Sequence, residues 1–295
     1  MILVLGSGES GVGSALLAKS KGLSVFVSDS SLIEKNYKEL LLKNNIKFEE
    51  NGHVQANKLN VDYVIKSPGI PDTATIIKQL TNNQTQIISE IEFASKFTDA
   101  NIIGVTGSNG KTTTTTIIYE ILKSENIDVD IAGNIGVSFA SKVAASNARN
   151  YVLELSSFQL DGIIDFNPHI AIMTNLSPDH LDRYNNSFEN YINSKFNIIK
   201  NQSEKDYFIY DLDDVKIVQF IKNNIHKIKS NLLPFSTNKT TDSVTYLENK
   251  NIISIINKNK IIMPTNNFPL IGTHNLKNAM AATTVANLLK IRKET

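Results

Sequence analysis

The chain has 295 residues, 41% of them hydrophobic and 20% charged, with a formal net charge of +1 and no cysteine. A chain of this length can bury more than one core, and its near-neutral charge gives no general pull toward nucleic acid or an anionic membrane. The missing cysteines exclude disulfides, thiolate metal sites and cysteine nucleophiles, and no apolar stretch reaches membrane-spanning length.

Short apolar runs alternate with helix-patterned segments from the first residue, which predicts an α/β fold with largely parallel sheets. Met1 leads straight into Ile2 to Leu5, too short and too uncharged for a signal peptide, so a cytoplasmic location and small-molecule partners are expected. This first strand feeds Gly6-Ser7-Gly8-Glu9-Ser10-Gly11, and a helix patterned by Val12, Leu16 and Leu17 follows. Backbone N–H groups at such a helix start can hold a phosphate. Asp29 ends the next strand, Ser24 to Ser28, where dinucleotide folds place a ribose-binding acid. On these residues alone the loop suits NAD, a UDP-sugar or a flavin, or is a plain tight turn. Further strands are expected at Asp62 to Lys66 and Gln86 to Ser89, and the domain boundary near residues 90 to 100.

The pattern restarts with strands at Asn101 to Val105, Asp128 to Ala132, Tyr151 to Leu155 and His169 to Thr174. The first of these opens into Thr106-Gly107-Ser108-Asn109-Gly110-Lys111-Thr112, a shortened relative of the phosphate loop, with Val105 where the usual first glycine stands. Its amides can wrap phosphate, Lys111 can neutralise it, and the Thr112 hydroxyl can reach Mg²⁺. The five threonines Thr112 to Thr116 are poor helix formers, and a bound phosphate would stabilise such a start. Glu154 interrupts an otherwise apolar strand and needs a partner, either Mg²⁺ or a structural cation. The segment from Asn175 to Tyr184 gathers Asp179, His180, Asp182 and Arg183, either as a site or as a solvated turn.

Lys195 lies in the middle of the apolar face formed by Phe188, Tyr191, Ile192, Phe196 and Ile199 in a predicted helix over 188–199. It either snorkels past its neighbours or is desolvated. A desolvated lysine has a reactive neutral amine that can take up CO₂ as a metal-ligating carbamate. From about Asn201 to Asn267 the chain is rich in Asn, Lys and Ile, with a hairpin predicted from Ile252 to Ile256 and Ile261 to Met263 around Asn257 to Lys260. The last helix is expected from Leu276 to about Ile291.

Taken together, these segments resemble the Mur ligases, and within them the D-glutamate-adding members. The resemblance is carried by Gly104 to Thr113, Gly133-Asn134-Ile135-Gly136, Glu154 to Leu160, Asp179 to Tyr184, Lys195, and Gly272-Thr273-His274-Asn275 with Asn278. It implies a Rossmann-like parallel-sheet domain at 1–92 that binds the UDP substrate, a central P-loop-type ATPase domain at 93–295, and a C-terminal ligase domain absent from these residues. It also implies ATP-dependent addition of D-glutamate to UDP-N-acetylmuramoyl-L-alanine through an acyl phosphate in peptidoglycan synthesis, by a monomer. Position by position, Gly107, Ser108, Asn109, Gly110, Lys111, Thr112 and Thr113 would bind ATP, with Asn275 and Asn278 facing the nucleotide. Thr112 and Glu154 would hold one Mg²⁺, and His180 with carbamylated Lys195 a second. Gly8, Glu9, Ser10, Asp29, Ser30, Ser31, Ser67, Pro68 and Gly69 would line the UDP pocket, with Asn134, Ser156 and Ser157 at the muramoyl end. Ser31 stands where some relatives carry arginine. The alternatives are a non-catalytic module that binds the same ligands and, against the second loop, an NAD-dependent oxidoreductase.

Overall fold

The computed structural model describes residues 1–146, 148–265 and 272–291, and these form two compact units. Unit 1 comprises Met1–Asp99, Ala132–Asn147 and Ser157–Phe166, and unit 2 the remaining segments Ala100–Ile131, Ala148–Ser156 and Asn167–Thr295. A single cut at 92/93 does not describe this division. That point falls inside a helix, and two later segments return to unit 1.

The first unit begins β1 (Ile2–Leu5), α1 (Glu9–Ser20), β2 (Val25–Ser28), α2 (Lys35–Lys43), β3 (Lys47–Glu49), β4 (Tyr63–Lys66), α3 (Thr75–Asn82), β5 (Gln86–Ile88) and α4 (Glu90–Ser95). The strands form one sheet in the order β3-β2-β1-β4-β5, parallel throughout. The order reverses between β1 and β4, the switch point where open α/β sheets bind ligands. The run Ile2 to Leu5 is buried on both faces, as a central parallel strand requires. Leu3, Leu5, Phe26, Val64, Ile76, Ile77 and Leu80 make the core.

In unit 2 the chain forms β6 (Asn101–Thr106), α5 (Lys111–Ser124) and the start of β7 (Val129–Gly133), whose last two residues fall in unit 1. α6 (Phe139–Ala145) belongs to unit 1. β8 (Asn150–Glu154) follows, and α7 (Ser157–Asp161) again belongs to unit 1. Side-chain and backbone bonds hold these returning segments: the Glu92 carboxylate accepts N–H bonds from Ile164, Asp165 and Phe166 at 2.9, 3.0 and 2.9 Å. Gly162 passes so close to Ser89 that a Cβ there would lie 2.7 Å from the Ser89 nitrogen.

The rest of unit 2 is β9 (Ile170–Met173), α8 (Phe188–Phe196), β10 (Tyr207–Asp211), α9 (Val215–Asn224), β11 (Asn231–Ser236), β12 (Thr245–Glu248), β13 (Asn251–Ile256), β14 (Asn259–Pro264) and α10 (Thr273–Leu288). The nine-stranded sheet runs β14-β13-β12-β11-β10-β9-β6-β8-β7. β6 lies parallel between β8 and β9, and β13 and β14 form the expected antiparallel hairpin. Its turn is Asn257–Lys258, shorter than predicted, because Ile256 already pairs with Asn259. The α8 helix gives way to a tighter turn at Asn197–Ile199, so the predicted helix over 188–199 is split at its end. The α10 helix starts at Thr273, one turn before the predicted Leu276. No helix among the described residues is long and apolar enough to cross a membrane.

Candidate functional site

Two glycine loops, one in each unit, carry several of the residues singled out by the sequence. In unit 2 the loop starts where β6 ends. Gly107 has φ 145° and a Cβ there would stand 2.0 Å from the Thr174 hydroxyl oxygen; at Gly110, φ 80°, a Cβ would stand 2.4 Å from Asn278 Oδ1. Neither position tolerates a side chain, and Asn278 is thereby set against the loop from α10. The loop is tied to the segment after β9: the Ser108 N–H donates to the Asn175 carbonyl at 2.9 Å and the Asn109 N–H to Asn175 Oδ1 at 3.0 Å. The Ser177 N–H donates to Ser108 Oγ at 2.9 Å, and Tyr191 OH lies 3.1 Å from the same oxygen.

Lys111 opens α5, and its Nζ donates to the carbonyls of Gly107 and Ser108, each at 2.9 Å. Burial lowers its pKa, opposed by the charges of Glu154 and Asp179. The parallel pairing of β8 on β6 places Glu154 beside Val105, at the root of the loop. Glu154 is 3% exposed, and the Thr112 hydroxyl donates to its Oε2 at 2.6 Å. A hydroxyl and a carboxylate held together beside a phosphate-type loop are the oxygen donors that Mg²⁺ takes. Thr113 lies in the same first turn of α5, and Thr114 and Thr115 are fully buried. Packing of α5 on α10 and of Ile118 and Leu122 into the core supports this threonine-rich start.

Lys195 is 2% exposed, so of the two expectations it is buried rather than snorkelling. Its Nζ donates to the Gly107 carbonyl at 2.8 Å and sits 4.7 Å from the centre of the Tyr191 ring. Both lysines therefore meet on one loop carbonyl. His180, at φ 50°, is more than half exposed and its Nε2 lies 3.5 Å from Asp179 Oδ2. No group of three or more His, Cys, Asp or Glu able to hold a metal occurs among the described residues. Asn275 lies in the first turn of α10, one turn before Asn278.

In unit 1 the other loop is closed by Ser67, the residue after β4. A Cβ on Gly6 would meet Ser67 Oγ at 2.5 Å, and one on Gly11 would meet the Gly6 carbonyl at 2.0 Å. Gly8 caps α1, whose first residues are Glu9 and Ser10. Asp29 accepts from the Ser7 N–H and hydroxyl, both at 2.7 Å, and from the Ser31 N–H at 2.9 Å, so the acid after β2 braces the loop. Ser30 and Ser31 are exposed on that turn, while Pro68 and Gly69 continue from Ser67. Glu9 turns its carboxylate to the start of α6, accepting from the Ser138 N–H at 2.9 Å. Asn134 precedes that start in the same unit, Ser157 opens α7, and Ser156 falls in unit 2. The sequence placed Asn175 and Ser177 in a candidate segment and Tyr191 on the apolar helix face, but did not reveal that these residues, with Thr174, support the second loop. For Thr174, Asn175 and Ser177 the one signal is their place as polar residues just after an apolar strand.

The family model of the Mur ligase middle domain matches residues 105–286, more than half of the chain, and that of the MurD N-terminal domain matches residues 1–76. The chain belongs to the Mur ligase family. It is 51% identical over 294 residues to a UDP-N-acetylmuramoylalanine-D-glutamate ligase of Christiangramia forsetii, covering 100% of the chain and 66% of that protein. It is 48% identical over 293 residues to the ligase of the same name from Bacteroides fragilis, covering 99% of the chain and 65% of that protein. The chain thus spans just under two thirds of the length of these relatives. Among solved structures, a murein peptide ligase of Psychrobacter arcticus superposes with a TM-score of 0.63 at 19% identity, over 98% of this chain and 65% of that one. The UDP-N-acetylmuramate-alanine ligase MurC of Thermotoga maritima gives 0.56 at 22% identity, over 98% and 65%. These two likenesses establish the Mur ligase fold of the chain.

Proposed function

We propose that the chain carries the UDP-substrate and ATP sites of an ATP-dependent ligase that joins D-glutamate to UDP-N-acetylmuramoyl-L-alanine. The observation that carries this reading is the cluster at the second loop: Lys111, the Thr112–Glu154 pair and the buried Lys195, all within reach of one short glycine turn. In the proposed reaction a substrate carboxylate oxygen bonds to the γ-phosphorus of ATP and the bond to ADP breaks. The D-glutamate amine then bonds to the acyl carbon, phosphate leaves, and the amine gives up a proton.

Gly107, Gly110 and Thr113 supply backbone N–H groups to the phosphates, Ser108 and Asn109, whose N–H groups are bonded to Asn175, shape the loop around them, and Lys111 moves from the loop carbonyls to the transferred group. Asn275 and Asn278 take the nucleoside side. Thr112 and Glu154 hold one Mg²⁺; His180 and Lys195, the latter as a carbamate, hold a second. Bound Mg²⁺ offsets repulsion between the anionic carboxylate and the triphosphate. In unit 1, Gly8, Ser10, Asp29, Ser30, Ser31, Ser67, Pro68 and Gly69 form the UDP pocket, with Asn134, Ser156 and Ser157 toward the muramoyl-alanine end. Glu9 contributes its backbone, since its carboxylate is bound elsewhere.

Replacing Glu154 by Gln tests the metal assignment. ATP affinity of the wild type should rise with Mg²⁺, and Glu154→Gln should lose most of that gain, about tenfold or more. An unchanged Mg²⁺ dependence in the folded variant would remove Glu154 from the metal site.

A further inference from the structure

Glu90 is a carboxylic acid that the proposed chemistry does not use, yet it is 1% exposed at the start of α4. Its Oε1 accepts from the Ala140 N–H in the first turn of α6, and its Oε2 is buried with no hydrogen-bond partner among the described residues. Burial first, with the Glu9 charge adding to it against the pull of the Ala140 and Phe139 N–H groups, pushes Glu90 up to about 8. At neutral pH it is a neutral acid, which is why the two carboxyl groups tolerate each other across this turn.

The same turn holds Glu9. Besides the Ser138 N–H at 2.9 Å, the Ser141 hydroxyl donates to Glu9 Oε1 at 3.4 Å and Tyr37 OH to Oε2 at 3.3 Å. The turn fits closely against α1, because a Cβ on Gly13 would stand 2.1 Å from Ser138 Oγ and 2.4 Å from Ser141 Oγ. Glu9 is the first residue of α1, directly after the glycine loop. A carboxylate there stands beside the N–H groups that would hold an anionic diphosphate, and like charges at that spot repel.

We infer that Glu90 is a positioning residue: by holding the Ser138–Ser141 turn it keeps the Glu9 carboxylate drawn to that turn and away from the loop's anion-binding N–H groups. The inference rests on the UDP-substrate reading of unit 1. It makes the Glu9 carboxylate a latched charge rather than a ligand contact, and it makes the effect of Glu90 depend on Glu9. A packing role alone would not create that dependence.

The test is binding of UDP-N-acetylmuramoyl-L-alanine to the 295-residue chain at pH 7 by titration calorimetry. The variants are Glu90→Ala and the double variant Glu90→Ala/Glu9→Gln, with ATP binding in unit 2 as the control. Glu90→Ala should weaken the UDP ligand about tenfold, and removing the Glu9 charge in that background should restore most of the loss. If Glu90→Ala does not fold, Ser138→Pro replaces it. That change deletes the N–H bonded to Glu9 at a backbone φ of −62°, which proline adopts. Its loss should be restored by Glu9→Gln in the same way. Full wild-type affinity in the single variant, or a loss that Glu9→Gln fails to repair, overturns the latch. Failure of the wild type to bind the UDP ligand overturns the UDP-substrate reading, and the latch falls with it.

Discussion

Glu90 shows how a single buried acid sets a pH dependence. Its ordinary value is 4.5 and its folded value about 8, so between those pH values the folded protein holds a proton that the unfolded chain has lost. Stability from this group is therefore full below about pH 4.5, falls as pH rises, and is gone above about 8. Glu90→Gln keeps an oxygen for the Ala140 N–H but cannot ionise. Its urea midpoint, compared with wild type, should gain progressively from pH 5 to pH 8 and level off beyond; a difference that does not vary with pH would contradict the buried-acid assignment. Glu90 was not singled out in the sequence, whereas Lys195 was, because a lysine inside an apolar helical face must be buried or snorkel, and it is buried. In an enzyme extended to the length of its relatives and equilibrated with CO₂, intact-protein mass should show one added CO₂ that Lys195→Ala lacks. An unmodified mass in an active preparation would refute the carbamate.

At the scale of elements, the strands read best from sequence were those buried on both faces. Ile2–Leu5 is the simplest case, since a continuous apolar run bounded by glycine has few other ways to fold. The Lys47–Glu49 strand escaped notice because it is three residues long at a sheet edge, where packing on neighbours decides pairing. The Asn231–Ser236 strand carries Pro234 within it, which argues against a strand on local grounds. Two Asn-Lys turns, Asn249–Lys250 and Asn257–Lys258, have positive φ at all four residues and close consecutive hairpins, of which sequence reading found the second. Part of the Asn and Lys excess of this region is thus turn chemistry. Lysine is the strained partner at φ 68° in the second turn, so Lys258→Gly should raise stability by about 1 kcal/mol in urea unfolding. A loss of stability would mean that the turn is not the two-residue form described.

On the scale of the whole molecule, sequence order did not foretell which segments fold together. The α6 and α7 segments follow strands of the second sheet in the chain but are packed in unit 1, because Glu92, Gly162 and the α1 surface hold them there. What was legible is the pair of glycine loops, each at the carboxyl end of a central parallel strand, and the central claim is that they serve two different nucleotides. Lys111→Ala in the 295-residue chain tests that claim most directly, with UDP-N-acetylmuramoyl-L-alanine and Mg²⁺-ATP titrated separately into wild type and variant. ATP affinity should fall by about 10- to 100-fold, the worth of a charged contact to phosphate, while affinity for the UDP ligand stays unchanged. Equal losses of both ligands in a folded Lys111→Ala protein would contradict the account.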